Sequence, residues 1–243
     1  GSSVISCLQI FKDKIYTGAF DGWISVWDRR KGEKLVSDPI ASYQGHENKV
    51  TALQFYKRKM YSGSWDETIK VWDLTKGLDK YTAPVACYSG YGIVNCLQID
   101  GNKLYSGSGE KRILAWDLST KLPKQPLPVK EFIGHDGYVA TLKISDNVMY
   151  SGSGDIMYSG TKDEVIRAWD LAKDGKVDRN PVKMFKGHHG DINYLEVHQN
   201  VLYSCSDDDN IIGLWDQTKR LKEDSDPIEL FKGHQDGVRC LEI

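Results

Sequence analysis

Long apolar runs are missing from this 243-residue chain, and nothing in it approaches the roughly 18 consecutive apolar residues of a membrane-spanning helix. No signal-peptide pattern opens it. Sustained 3.6-residue hydrophobic periodicity is missing too, which sets aside an all-helical solenoid. There is no glycine-rich loop between a strand and a helix, no Cys-x-x-Cys, no His-Glu-x-x-His and no nucleophile elbow, so catalysis has no recognisable carrier. The net charge of −2 lacks the basic excess that phosphate neutralisation requires, which argues against general nucleic-acid binding. Cysteine is sparse and odd in number, at five. Cys7, Cys96 and Cys240 fall at one position of a recurring unit, so they read as thiols in a common small buried slot rather than as disulfides or metal ligands. Free thiols imply a reducing compartment, the cytoplasm or nucleus rather than the outside of the cell.

What the chain does contain is a repeat. Trp-Asp occurs at Trp27-Asp28, Trp72-Asp73, Trp116-Asp117, Trp169-Asp170 and Trp215-Asp216, with 45, 44, 53 and 46 residues between successive tryptophans. A period of that length signals a repeat architecture. Gly-His pairs run in phase at Gly45-His46, Gly134-His135, Gly187-His188 and Gly233-His234, and Tyr-Ser-Gly-Ser segments recur as at Tyr61–Ser64 and Tyr105–Ser108. Between these landmarks lie β-branched and aromatic runs of four to six residues separated by turn residues. In the second unit they predict strands around Val50–Phe55, Met60–Gly63, Ile69–Trp72 and Pro84–Tyr88.

Gly-His, Ser-Gly-Ser, an acidic turn and Trp-Asp in fixed order resemble WD-repeat β-propellers over the whole chain. The resemblance implies an all-β propeller of four-stranded antiparallel blades, here a single domain over residues 1–243. It implies five Trp-Asp repeats plus the first strand of a further one at Val238–Ile243. It also implies that His, a second-strand Ser or Thr, the turn Asp and Trp form one structural hydrogen-bonded chain in each blade. In this sequence these are His46, Ser62, Asp66 and Trp72, then His135, Asp163 and Trp169, then His188, Ser204 and Trp215. A triad copied in every blade is scaffolding, since a hydrolase needs one such site beside one pocket. In the third repeat Gly90-Tyr91 stands for Gly-His and Glu110 for the Asp, so that blade is expected to lack the chain and be the least rigid. In the fifth, an additional residue leaves the turn carboxylate as Asp208 or Asp209. The run Asp207-Asp208-Asp209 raises a cation site, but no further ligands accompany it and solvated carboxylates are the simpler reading; no metal and no cofactor is expected.

The family's top-face contact positions map onto Phe20, Lys49, Thr51, Trp65, Ile93, Asn95, Tyr138, Lys162, Asp191, Asn193, Asp207 and Arg239. Phe20 and Trp65 have no local reason to be large aromatics in tight turns, so with Tyr138 they are the expected anchors for a protein or peptide partner. Residues 1–80 hold 13 Lys+Arg against 10 Asp+Glu, and Arg29, Arg30, Lys31, Lys57, Arg58 and Lys59 form a second candidate surface, for anionic lipid. The expected function is a non-catalytic scaffold for protein recognition, a partner- or substrate-recruiting module like propellers appended to ubiquitin-ligase subunits, TRAF-like RING proteins and alpha-kinases.

The 53-residue interval holds an anomaly near residues 151–160. Met149-Tyr150-Ser151-Gly152 recurs as Met157-Tyr158-Ser159-Gly160, the first copy in register with His135 and the second with Trp169. A local duplication would do this, and so would loss of about one repeat. The second explanation predicts a chain derived from a seven-bladed parent, with ring completion by another chain as one outcome.

Overall fold

The β-branched and aromatic runs of each repeat are too short for helices and are bounded by turn residues, as strands are. The computed structural model describes residues 3–29, 38–75, 82–89, 91–119, 126–154, 164–217, 226–239 and 241, and contains no helix among them. Its first antiparallel sheet is β1 (Ile5–Phe11), β2 (Lys14–Ala19), β3 (Ile24–Asp28) and β4 (Ala41–Tyr43), in that order. The second repeat gives β5 (Val50–Tyr56), β6 (Lys59–Ser64), β7 (Thr68–Asp73) and β8 (Ala86–Ser89). The third gives β9 (Val94–Asp100), β10 (Lys103–Ser108), β11 (Arg112–Asp117) and β12 (Lys130–Ile133). The fourth is β13 (Tyr138–Ser145), β14 (Val148–Gly154), β15 (Val165–Asp170) and β17 (Lys183–Lys186), with β16 (Val177–Asp178) pairing in parallel with β12 instead. The fifth is β18 (Ile192–His198), β19 (Val201–Ser206), β20 (Ile211–Asp216) and β21 (Glu229–Lys232). Among the described residues, the five Trp-Asp units thus form five sheets.

The chain divides into two compact units, Gly1–Leu104 with Trp116–Leu127, and Tyr105–Ala115 with Pro128–Ile243. Each has its own apolar interior, and in both the contact between successive blades has the same composition. In the first unit, Tyr16, Ile24, Val26 and Tyr43 of one blade meet Val50, Leu53, Met60 and Trp72 of the next. In the second, Tyr150, Ile166, Ala168 and Phe185 meet Ile192, Leu195, Leu202 and Trp215. The fourth-strand aromatic lies against the following tryptophan each time: Tyr43–Trp72 at 5.4 Å, Tyr88–Trp116 at 5.1 Å, Phe132–Trp169 at 5.6 Å and Phe185–Trp215 at 5.7 Å between centroids.

The Ser-Gly-Ser segment follows from these contacts. A Cβ on Gly63 would lie 2.5 Å from Val94 Cγ1, and one on Gly152 would lie 2.6 Å from Ile192 Cγ2, so glycine lets the next blade's first strand approach closely. The serine before Gly63 enters the hydrogen-bonded chain below. The serine after it, Ser64, donates to Asn48 O at 3.1 Å and accepts from Asp66 N at 3.0 Å, fixing the second-to-third strand turn. Cys205 replaces that glycine in the fifth blade and is buried, whereas Cys7 and Cys96 are half-buried. Burial pushes the Cys7 thiol up to about 11. Cys240 lies outside the described residues.

At the anomalous interval the first copy is the strand: β14 contains Met149–Gly152, and Ser151 pairs with Arg167 as Ser62 pairs with Lys70. The second copy, with Asp155 and Ile156, lies outside the described residues.

Candidate functional site

Within the second blade four polar groups form a directed chain. The Trp72 indole N–H donates to Ser62 Oγ at 2.8 Å, Ser62 lies 2.6 Å from His46 Nε2, and His46 Nδ1 lies 2.7 Å from Asp66 Oδ2. Burial lowers the pKa of His46 against the pull of Asp66, so the ring is neutral. Burial alone would raise the Asp66 pKa, but hydrogen bonds from His46, Thr68 and the Glu47 amide outweigh it and hold the carboxyl far below the usual range. A neutral imidazole beside a carboxylate carries its proton on Nδ1, so Nε2 accepts from the Ser62 hydroxyl. Ser62 is fully buried, with its oxygen engaged by Trp72 and His46, so it cannot meet a substrate. This triad holds a blade together.

The fifth blade repeats the chain through Trp215, Ser204, His188 and Asp209, at 2.8, 2.6 and 2.8 Å. Asp209 is therefore the turn carboxylate that the sequence left open between Asp208 and Asp209. Burial opposes its ionisation, yet the bonds from His188 and the His189 amide hold its pKa down to about 2. In the fourth blade Trp169 and His135 meet on Ser151, and Arg167 Nη1 lies 2.9 Å from His135 Nδ1. A guanidinium only donates, so in that contact His135 Nδ1 accepts and Nε2–H is given to Ser151. Asp163 lies outside the described residues. The third blade fills the histidine's place by shape: the Tyr91 ring meets Trp116 edge-on at 5.2 Å, where His46 and His188 meet their tryptophans at 6.2 and 5.8 Å.

The contact positions fall into two groups, one per unit. In the first unit, Phe20 is 47% exposed and Trp65 is 44% exposed. Backbone bonds from Phe20 N to Val4 O and from Trp65 N to Lys49 O, both 3.0 Å, fix them at equivalent points of neighbouring blades. Lys49 Nζ lies 4.5 Å from the Phe20 centroid and 4.8 Å from the Trp65 centroid, so one cation engages both rings. Such contacts stabilise by about 0.5–1 kcal/mol where exposed. The sequence marks the rings, but nothing in it shows that Lys49 joins them. Ile93, the equivalent position in the third repeat, is 37% exposed, and Asn95 is half-buried. Thr51 does other work: its hydroxyl lies 3.0 Å from Gly63 O and 2.7 Å from Val94 O, tying one blade to the next.

In the second unit the positions are polar. The Tyr138 hydroxyl donates to Asp191 Oδ2 at 2.8 Å and the ring is half-buried. Burial, with Asp191 beside it, keeps that phenol protonated well above its ordinary range. Asn193 Nδ2 reaches Asp191 O at 3.4 Å. Asp207 N donates to Asp191 O, the bond Trp65 N makes to Lys49 O, so Asp207 holds the Trp65 position and Asp208 is the additional residue. Arg239 Nε meets both Asp207 oxygens at 3.1 and 3.2 Å, at the edge of an open cavity of about 760 Å³ also lined by Asp208, Asn210 and Asp236. Lys162 lies outside the described residues.

Of the basic residues, Lys57, Arg58 and Lys59 share one loop and line an open cavity of about 410 Å³ with Tyr56 and Asp73. The Asp73 carboxylate accepts from Thr75 N and Oγ1 and sets a negative charge among them. Arg29 is exposed, while Arg30 and Lys31 lie outside the described residues.

The family model described as WD domain, G-beta repeat matches residues 37–73, 126–170 and 179–216, the second, fourth and fifth repeats. The repeats it passes over are the first, with Thr17 at the serine position, and the third, with Tyr91 and Glu110. A crystal structure of the computationally designed Ika8 protein is similar, with a TM-score of 0.73 and 26% identity over 98% of this chain. The chain spans 65% of the length of that protein. No curated protein sequence matches it.

Proposed function

For this WD-repeat chain we propose the role of a non-catalytic scaffold that recruits a protein or peptide partner, as one module of a larger protein or complex. WD repeats serve in general as platforms for protein interaction. The observation that carries the reading is the Phe20–Lys49–Trp65 group. Two large rings nearly half exposed, steadied by one cation, are rigid aromatic anchors of the kind found at the centre of protein interfaces. The lysine offers a carboxylate or a carbonyl on the partner a charged neighbour for its apolar contact. Among the described residues, the serines of the hydrogen-bonded chains, Ser62, Ser151 and Ser204, are fully buried, which fits a scaffold.

Affinity capture with the intact protein and with Trp65→Ala tests this. The variant loses the captured partner, with affinity reduced by about 2 kcal/mol, roughly thirtyfold, and a melting temperature close to that of the parent because only an exposed cation–π contact is removed. A lower melting temperature with undiminished capture makes the ring structural. The Lys57–Lys59 loop carries the second reading, anionic lipid; flotation with acidic vesicles abolished by Arg58→Glu would favour it.

A further inference from the structure

In each repeat a two-residue turn joins the first and second strands. Four of these turns contain the usual residues: Asp13, Gly101-Asn102, Asp146-Asn147 and Asn200. The turn between β5 and β6 is Lys57-Arg58, with Lys59 next, so three cations stand together without an acid. Lys57 has φ of +55°, in the left-handed region where Asn, Asp or Gly is at ease and lysine is strained. Lys12 has the same φ, but Asp13 follows it. Turn chemistry alone does not account for Lys57-Arg58-Lys59. Among the described residues none of the three forms an ion pair, whereas Lys70, Lys143 and Lys173 pair with Asp66, Glu196 and Asp178. They line the open cavity of about 410 Å³ in the first compact unit, together with Thr75 and, just beyond β11, Leu118 and Ser119. Asp73 lines it too, so three cations against one carboxylate leave an excess of two positive charges. The Thr75 and Ser119 hydroxyls give their protons to Asp73 and Asp117, which leaves recognition of an anion to the cations.

We infer that this cavity binds a phosphate monoester group as its dianion, carried by a small soluble molecule or by a phosphorylated lipid headgroup. The excess of two charges matches a dianion, whereas a carboxylate would leave one of them unmatched. Arg58 offers a planar fork that meets two phosphate oxygens at once, and Lys57 and Lys59 supply point charges for the others. Leu118 and the buried Tyr61 make part of the lining apolar, and charges act more strongly beside such a wall. About 410 Å³ is the size of a small-molecule site, so there is room for the group and part of its carrier. The inference rests on the same loop as the lipid reading above but narrows it from an anionic surface to one chemical group in one cavity. It is independent of Phe20, Lys49 and Trp65.

Equilibrium dialysis of the full chain against labelled inositol trisphosphate tests the inference, at physiological salt, where charges beyond about 8 Å are screened. The probe is expected to bind, and to bind less as the pH falls below about 6, where a phosphate monoester takes up a proton. Arg58→Gln is expected to weaken binding by about tenfold or more, since it removes a charged, two-oxygen contact. Lys57→Asn weakens it too, without lowering the melting temperature, because Asn is at ease at that φ. Arg29→Gln, which changes a charge outside the cavity lining, and Trp65→Ala leave it unchanged. Flotation then separates the two sources. Phosphatidylcholine vesicles carrying phosphatidylinositol bisphosphate that hold the protein, and release it to soluble inositol trisphosphate, identify a lipid headgroup. Binding of the soluble probe without flotation identifies a soluble ligand, and either result supports the inference. Flotation with phosphatidylserine vesicles but no binding of inositol trisphosphate favours the lipid reading alone and overturns this one. Failure of the probe to bind, or equal weakening by Arg29→Gln and Arg58→Gln, overturns it as well.

Discussion

His46 has two ring nitrogens and one proton, and its neighbours decide where that proton sits. Asp66 takes it at Nδ1, which leaves Nε2 to accept from Ser62 and orders the hydroxyl for Trp72. Replacing Asp66 by Ala strands these buried groups, and a loss of about 1–3 kcal/mol in urea unfolding is expected. The same change at Glu110, whose blade uses a tyrosine ring in the histidine's place, is expected to cost less. The carboxylates also set the acid limit of stability. Asp66 and Asp209 have lower pKa values folded than unfolded, so their contribution is complete above about pH 4 and is lost as the pH falls below it, for Asp209 down to about 2. Melting temperatures followed downward from pH 5 should fall in that window, and Asp66→Ala should flatten the fall. These residues were legible in the sequence because the resemblance to WD-repeat propellers assigns them to fixed points of every repeat, and a buried histidine and indole there need polar partners. Lys49 was not, because its place over two rings is a side-chain conformation rather than a repeated position. Tyr91 read as the loss of a hydrogen-bonding group, whereas edge-on packing against Trp116 restores the contact by shape.

At the scale of strands, short β-branched and aromatic runs bounded by turn residues located the blades closely: the second repeat's third strand, expected at Ile69–Trp72, is β7, Thr68–Asp73. The parallel addition of Val177–Asp178 to β12 was not legible, since two residues carry no period. The glycine of Ser-Gly-Ser marked a position without revealing its cause, which lies in the neighbouring blade. Gly63→Ala drives a methyl group to 2.5 Å from Val94 Cγ1 on a strand that cannot yield freely, and a loss of about 1–3 kcal/mol is expected. Gly101, in the hairpin between β9 and β10, has φ of +53° with nothing within 4 Å of its would-be Cβ. Alanine there meets only the backbone penalty of about 1–2 kcal/mol. Hydrogen exchange distinguishes the two: Gly63→Ala deprotects β5, β6 and β9 together, whereas Gly101→Ala loosens the hairpin locally.

Across the whole molecule, stability is a sum over blades and the contacts between neighbours, as in other repeat proteins. A defect at Gly63 is therefore expected to leave exchange in β18 to β21 unchanged, which the same experiment reads out. The repeat count was plain in the sequence because five Trp-Asp pairs recur. The interval between Ser151 and Trp169 was not resolved by pattern alone, because two identical segments compete for one strand. The pairing of Ser151 with Arg167 assigns that strand to the first copy.

The uneven covering of the tryptophans has an optical consequence. Trp72, Trp116, Trp169 and Trp215 are buried at 0–2% exposure, while Trp23 and Trp27 are partly exposed and Trp65 is 44% exposed. Emission from the native protein should therefore be composite, a short-wavelength part that iodide does not reach and a longer-wavelength part that it quenches. The quenching plot should bend toward a plateau, with the accessible fraction reduced in Trp65→Ala. Unfolding in urea should straighten it as all seven indoles become equally reachable.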